Sequence, residues 1–64
     1  MIKAERQDKV RQLLEEQGTV SVKEISDALG VSDMTIRRDL EELASLGEIE
    51  RVHGGGTSPR YVAP

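Results

Sequence analysis

The sequence predicts a mainly α domain of the α+β class, with three helices followed by a small two-stranded β-hairpin. Apolar residues recur at helical spacing in three consecutive segments, and each segment is closed by a glycine. The last segment is followed by a short β-branched run and a glycine cluster, which is typical of a hairpin. With 64 residues and no cysteine, we expect one small domain without disulfides or thiolate zinc sites.

The first helix is predicted from Lys3 to Gln17. Val10, Leu13 and Leu14 recur at helical spacing on one side of this segment. Gly18 follows, at the place where a left-handed C-cap closes a helix. We therefore expect an amphipathic helix that packs through one face.

A second, short helix is predicted between Ser21 and Gly30. Ser21 and Glu24 have the spacing of a capping box, in which each side chain bonds the backbone N–H of the other residue. Gly30 ends the helix. The expected buried side consists of Ile25, Ala28 and Leu29.

The third helix, from Ser32 to Leu46, follows a very tight turn. Only Val31 separates Gly30 from the N-cap candidate Ser32, so the second and third helices must cross steeply. Gly47 provides the C-terminal stop. The expected buried stripe consists of Ile36, Leu40 and Leu43.

A two-stranded wing is predicted after the third helix. The segment from Glu48 to Val52 contains two β-branched residues, and the glycine run 54–56 is typical of a hairpin tip. Three helices with such a wing define a winged helix-turn-helix domain, which we assign to residues 1–57. Residues 58–64 have no core pattern and are interpreted as a tail or the start of a linker.

Charge and aromatic content narrow the functional classes. Charged residues make up 33% of the chain and the formal net charge is −3, which argues against coating of nucleic acid through bulk charge. Tyr61 is the single aromatic residue, so the stacking platform of most single-strand binders is missing. Double-stranded DNA, read by a helix with a local basic surface, is consistent with both observations.

Arg37 and Arg38 are the principal candidates for contacts with DNA bases. A helix-turn-helix lays its second helix, here residues 32–46, in the major groove, and each guanidinium has the donors for a bidentate contact with guanine. Met34 faces outward on the same helix and is a further candidate for base contacts, as is Thr35. The alternative is an ordinary solvated face, in which both arginines pair with Glu41 and Glu42 at helical spacing.

The start of the third helix is a candidate phosphate site. Ser32 and Thr35 lie beside the free backbone N–H groups of the helix N-terminus, which attract anions. Both hydroxyls also have a purely structural explanation, Ser32 as the N-cap and Thr35 as a residue of the first turn.

The wing supplies further candidates for the phosphate backbone or the minor groove. Arg51 and His53 flank the glycine run, and Gly54 and Gly55 form its flexible tip. These glycines lack the GxxxxGK[ST] order and a following helix, so no nucleotide site is predicted. A solvated arginine and histidine are the alternative explanation.

Lys23 and Arg6 are weaker phosphate candidates, near the starts of the second and first helices. Exposure to solvent or pairing inside the protein explains each of them as well. Asp39 lies at the edge of the buried stripe, where a carboxylate needs a partner that either Arg51 or Arg6 would provide.

No residue pattern supports catalysis, a cofactor or a metal site. The single histidine lacks companion ligands, and the serines and aspartates already have local explanations as caps and packing residues. The sequence contains neither a signal peptide nor an apolar run long enough to cross a bilayer. We therefore expect a soluble, cytoplasmic protein without enzymatic activity or membrane partner.

The run V-S-D-M-T-I-R-R-D-L at residues 31–40, followed by G-E-I-E-R-V-H-G-G at 47–55, resembles the N-terminal domain of the DeoR family of bacterial transcription repressors. The resemblance covers residues 5–57, including Arg6 and the segment V-S-V-K-E-I at 20–25. It implies that Thr35, Arg37 and Arg38 belong to the DNA-reading helix, and that His53 and the glycines after it belong to the wing.

Members of the DeoR family usually continue into a larger domain related to sugar-phosphate isomerases, which senses a phosphorylated sugar and holds a homo-oligomer together. By this resemblance, residues 58–64 lead toward such an effector domain. The family pattern favours alanine at the position of Gly56. The competing hypothesis, kept open by the acidic balance, is a winged-helix module that binds protein and not DNA.

Overall fold

A computed structural model describes residues 1–59. Its elements follow in the order α1 (Lys3–Gln17), β1 (Thr19–Ser21), α2 (Val22–Leu29), α3 (Asp33–Ser45), β2 (Glu50–Val52) and β3 (Gly55–Thr57). The predicted fold class is confirmed, with three helices and a hairpin formed by β2 and β3. Within the predicted tail, the Ser58 backbone N–H bonds the Gly18 carbonyl at 3.0 Å, whereas residues 60–64 lie outside the described residues.

Local hydrogen bonds explain where the helices begin and end. The Ser21 hydroxyl accepts a hydrogen bond from the Glu24 backbone N–H at 3.3 Å, which is one half of the predicted capping box. The reciprocal bond to the Glu24 carboxylate is not formed within residues 1–59. α3 ends in a Schellman motif, in which Gly47 adopts a φ of 77° and the Glu48 N–H bonds the Leu43 carbonyl at 3.0 Å. The glycine at this stop is required because its left-handed backbone is strained for other residues.

The sheet has three strands, one more than predicted. β1 precedes α2 directly and pairs antiparallel with β3, which gives the strand order β1-β3-β2. Three residues are too few for alternation to reveal a strand in the sequence. The backbones of β1 and β3 approach so closely that a Cβ on Gly55 would overlap the carbonyl oxygen of Val20. The wing is therefore anchored to the segment between α1 and α2.

One hydrophobic core lies between the helices and the sheet. In α2 the expected buried side was partly wrong, because Ala28 is exposed whereas Val22 is 3% exposed. The Val22 N–H bonds the Gly54 carbonyl at 2.9 Å, which draws the first turn of α2 onto the wing. The buried apolar side chains are Val10, Leu14, Val20, Val22, Ile25, Ile36, Leu40, Leu43 and Ile49.

Candidate nucleic-acid interface

The turn between α2 and α3 is held by two hydrogen bonds. Gly30, with a φ of 69°, is the left-handed C-cap of α2, and its N–H bonds the Ser26 carbonyl at 2.9 Å. The Ser26 hydroxyl donates to the Val31 carbonyl at 2.7 Å, across the turn. The direction in which the chain leaves α2 and begins α3 is therefore defined, as a helix-turn-helix requires.

α3 has an apolar inner face and an exposed outer face that carries two adjacent arginines in its second turn. Ile36 and Leu40 are fully buried, whereas Arg37 and Arg38 are exposed and Met34 is 58% exposed. The second turn of α3 therefore presents two adjacent guanidinium groups to solvent.

Among residues 1–59, neither Arg37 nor Arg38 has a hydrogen-bond or ion-pair partner. The two carboxylates that follow them at helical spacing, Glu41 and Glu42, are engaged with other elements. Glu41 lies 3.5 Å from the Arg51 guanidinium of β2, and Glu42 is bonded to side chains of α1. The alternative pairing of both arginines with these glutamates is therefore not formed.

Ser32 and Thr35 are bonded to each other at the start of α3. The Ser32 hydroxyl accepts a hydrogen bond from the Thr35 N–H at 3.2 Å, and the two hydroxyl oxygens lie 3.0 Å apart. Ser32 is thus the N-cap, and half-buried Thr35 belongs to the same cap. Their hydroxyls are held in one arrangement beside the basic turn of the helix.

A buried ion pair docks α1 on α3. Arg6 donates from Nε and Nη2 to the two oxygens of Asp39, at 2.6 and 3.0 Å. Asp39 is 2% exposed, and its hydrogen bonds raise the pKa of the Arg6 guanidinium. The expectation that Asp39 needs an arginine partner is confirmed, and Arg6 is that partner.

A second polar contact between α1 and α3 centres on Glu42. Lys3 Nζ lies 3.1 Å from Oε1 of Glu42, and Gln7 Nε2 donates to Oε2 at 2.8 Å. Lys3 and Gln7 are not among the predicted site residues, although their spacing with Val10 places all three on one face of α1. These contacts border a polar cavity of about 240 Å³, lined by Lys3, Arg6, Thr35, Arg38, Asp39 and Glu42.

The wing differs from the expected geometry at one glycine and one arginine. His53 and Gly54 form the exposed turn, but Gly55 is buried in the central strand, because β1 and β2 pair with it from both sides. The Arg51 side chain is 25% exposed and points toward Glu41 of α3. The tip of the wing therefore consists of a histidine and one glycine.

The two weaker phosphate candidates lie in different surroundings. The side chain of Lys23 is 84% exposed and 4.0 Å from Asp27, a distance at which the ammonium stays hydrated. The side chain of Arg6 is 13% exposed and bonded to Asp39. Lys23 is thus accessible to a ligand, whereas Arg6 has an internal partner.

A helix-turn-helix whose second helix exposes two adjacent arginines, flanked by an anchored β-hairpin, defines a winged helix-turn-helix of the DNA-binding class. Comparison with known families agrees with this assignment. Residues 6–61 match the DeoR-like helix-turn-helix domain. The chain therefore belongs to this family of DNA-binding domains of transcription regulators, as its resemblance implied.

Curated relatives are similar over nearly the whole chain. The chain is 48% identical over 58 residues to the lactose phosphotransferase system repressor of Streptococcus mutans. It is 47% and 45% identical to the repressors of the same name from Staphylococcus aureus and Staphylococcus epidermidis. Each match covers 91% of this chain but 23% of the relative, so the chain spans less than a quarter of these repressors.

No solved structure matches the chain significantly. Within residues 1–59, none of the helices combines the length and the apolar character needed to cross a membrane.

Proposed function

We propose that this domain binds double-stranded DNA sequence-specifically and without catalysis. α3 lies in the major groove, where Arg37 and Arg38 read base edges and Met34 and Thr35 contact neighbouring bases. The wing follows the phosphate backbone or the minor groove.

The observation that carries this proposal is that two neighbouring arginines of α3 are exposed and unpaired within residues 1–59. Arg37 and Arg38 are adjacent, exposed and without a partner within the described residues 1–59, although Glu41 and Glu42 follow them at the spacing of helical ion pairs. A solvated helix face would leave these glutamates available to the arginines, whereas here Arg51 and side chains of α1 engage them. Free guanidinium groups on the second helix of a helix-turn-helix are instead suited to bidentate contacts with guanine.

Phosphate contacts are assigned according to accessibility. The accessible candidates approach the phosphate backbone of the DNA. They are Ser32 at the N-terminus of α3, Lys23 in α2, and His53 with Gly54 at the wing tip. Gly55 supports the tip through its backbone pairing. Arg51 and Arg6 face carboxylates of α3, so their main contribution is to hold the wing and α1 against that helix.

The test begins by selecting a preferred duplex from a random pool with the purified domain. Affinity for this duplex and for a scrambled one is then measured by titration at several salt concentrations. Arg37→Ala and Arg38→Ala are each expected to cost about 1–3 kcal/mol on the selected duplex and to relax base preference. Lys23→Ala is the matched comparison, which should weaken both duplexes alike and lower the salt slope by about 1.

Two outcomes would contradict the proposal. Equal losses on the selected and scrambled duplexes for the arginine variants would refute base reading by Arg37 and Arg38. An absence of DNA binding at every salt concentration would favour the competing hypothesis of a protein-binding winged-helix module.

For the longer protein, we propose a cytoplasmic homo-oligomeric repressor that responds to a phosphorylated sugar. Its support is the DeoR-like match and the repressor names of relatives of which this chain covers 23%. A single domain with net charge −3 should bind DNA weakly, and linkage of two copies on neighbouring half-sites would raise affinity. Measuring operator binding by the full-length protein, with and without phosphorylated sugars, tests this part.

A further inference from the structure

We infer that Lys3 is a positioning residue for the DNA-reading surface: its ammonium holds the Glu42 carboxylate and so keeps the Arg38 guanidinium free for DNA. This inference rests on the proposed function, because it takes Arg38 as a base reader. It adds to that function a residue of α1 that is remote in sequence from the reading helix.

Arg38 and Glu42 are neighbours on the surface of α3. The two residues are four positions apart on α3, the spacing at which oppositely charged side chains pair on a helix. They also line the same cavity between α1 and α3. Arg38 is nevertheless unpaired within residues 1–59, and the Glu42 carboxylate is bonded to side chains of α1 instead.

Two side chains of α1 hold the Glu42 carboxylate. Lys3 Nζ lies 3.1 Å from both carboxylate oxygens, and Gln7 Nε2 binds Oε2 at 2.8 Å. The hydrogen bond from Lys3, followed by that from Gln7, lowers the pKa of Glu42. The carboxylate is therefore charged near neutral pH, and in the absence of Lys3 its Oε1 is available to Arg38.

Solvent exposure indicates that this ion pair does little for folding. The side chains of Lys3 and Glu42 are 58% and 44% exposed, and exposed pairs of this kind contribute little to stability. The ion pair matters because it keeps the Glu42 carboxylate in contact with Lys3 and away from Arg38. Lys3→Ala should accordingly fold, which thermal unfolding of the variant checks.

A different role for Lys3, direct contact with a DNA phosphate, makes the opposite prediction in a double-mutant cycle. If Lys3 protects Arg38, Glu42→Gln improves binding more in the Lys3→Ala background than in the wild type, because only there does Glu42 mask Arg38. If Lys3 binds phosphate, Glu42→Gln helps more in the wild type, because it releases Lys3 to the DNA.

The experiment measures affinity for the selected duplex with the wild type, Lys3→Ala, Glu42→Gln and the double variant at low salt. We expect Lys3→Ala to weaken binding about twofold, the size of an exposed helical ion pair, and Glu42→Gln to reverse this loss. Lys9→Ala removes the same charge from an exposed position of α1 and should show no coupling to Glu42→Gln. Additive effects in the Lys3 cycle, or a larger gain from Glu42→Gln in the wild type, would overturn the inference.

A readout without DNA separates this inference from the proposed function. In Lys3→Ala, the NMR resonance of the Arg38 Nε–Hε group should shift and depend on salt, and Glu42→Gln should abolish both changes. An unchanged resonance refutes protection of Arg38 by Lys3, whatever the domain binds. An Arg38→Ala variant with undiminished DNA affinity refutes the proposed function while leaving the resonance test intact.

Discussion

Two adjacent glycines in the wing have different structural requirements. Gly55 faces the backbone of β1, where a Cβ would overlap the Val20 carbonyl oxygen. At Gly56 the nearest atom to an added Cβ is the terminal Cδ1 of Ile49, at 3.0 Å. The backbone of β1 cannot move away from Gly55 without losing its pairing with β3, whereas the end of the Ile49 side chain can rotate away from Gly56.

We predict that Gly55→Ala destabilises the domain by about 1–3 kcal/mol through strain between β1 and β3. Gly56→Ala should change stability by less than about 1 kcal/mol, since a small shift of Ile49 is offset by the lower entropy of the unfolded chain. Urea unfolding of both variants measures the difference. Equal losses of stability in the two variants would show that the close approach of β1 does not exclude a side chain at position 55.

The start of α3 depends on its N-cap. The Ser32 hydroxyl bonds both the N–H and the hydroxyl of Thr35, and these groups begin the helix that carries Arg37 and Arg38. The opposite end is held by the Schellman motif at Gly47. Loss of the cap is therefore expected to loosen the first turn, next to the basic surface.

For the cap, we predict that Ser32→Ala lowers the free energy of unfolding by about 1 kcal/mol. Ser45→Ala is the matched control, because the Ser45 hydroxyl bonds the Glu42 carbonyl at 2.7 Å within the last turn, where it satisfies no N-terminal donor. Ser45→Ala should therefore lower the free energy of unfolding by less than Ser32→Ala does. Circular dichroism during urea unfolding provides the measurement, and comparable losses in the two variants would count against a capping role for Ser32.

At the scale of the whole molecule, ion pairs join α1 to the segments around α3. Besides the contacts of Asp39 and Glu42, the Arg11 guanidinium binds both oxygens of Glu48 at 3.0 Å. The hydrogen bond from Arg11 lowers the pKa of Glu48 below its ordinary value of 4.5. A carboxylate whose pKa is lowered by folding stabilises the folded state above its unfolded pKa, and this contribution disappears as pH falls through the folded pKa.

Glu48→Gln should therefore be less stable than the wild type near neutral pH. The difference should shrink as pH falls below 4.5, because protonation of Glu48 then removes the same interaction from the wild type. Thermal unfolding of both proteins between about pH 7 and pH 3 tests this at fixed ionic strength. A difference that stays constant over the range would mean that ionisation of Glu48 is not linked to folding.

The sequence by itself determined the helices, the serine caps of α2 and α3 and the exposed arginine pair of α3. These features depend on spacing within one or two turns, as in the pairing of Ser32 with Thr35 or the outward position of Arg37 and Arg38. The family was also evident in the runs at 31–40 and 47–55. Interactions between residues close in sequence are sufficient to produce these features.

Only the tertiary structure decided the third strand and the partners of the charged side chains. Arg6 and Asp39 are 33 positions apart, and Gln7 and Glu42 are 35 positions apart, so no local pattern selects one partner over another. The pairing of β1 with β3 is equally remote, because Val20 lies opposite Gly56. Such contacts form only once packing of the apolar faces has brought α1, α3 and the wing together, and that packing leaves Arg37 and Arg38 unpaired within residues 1–59.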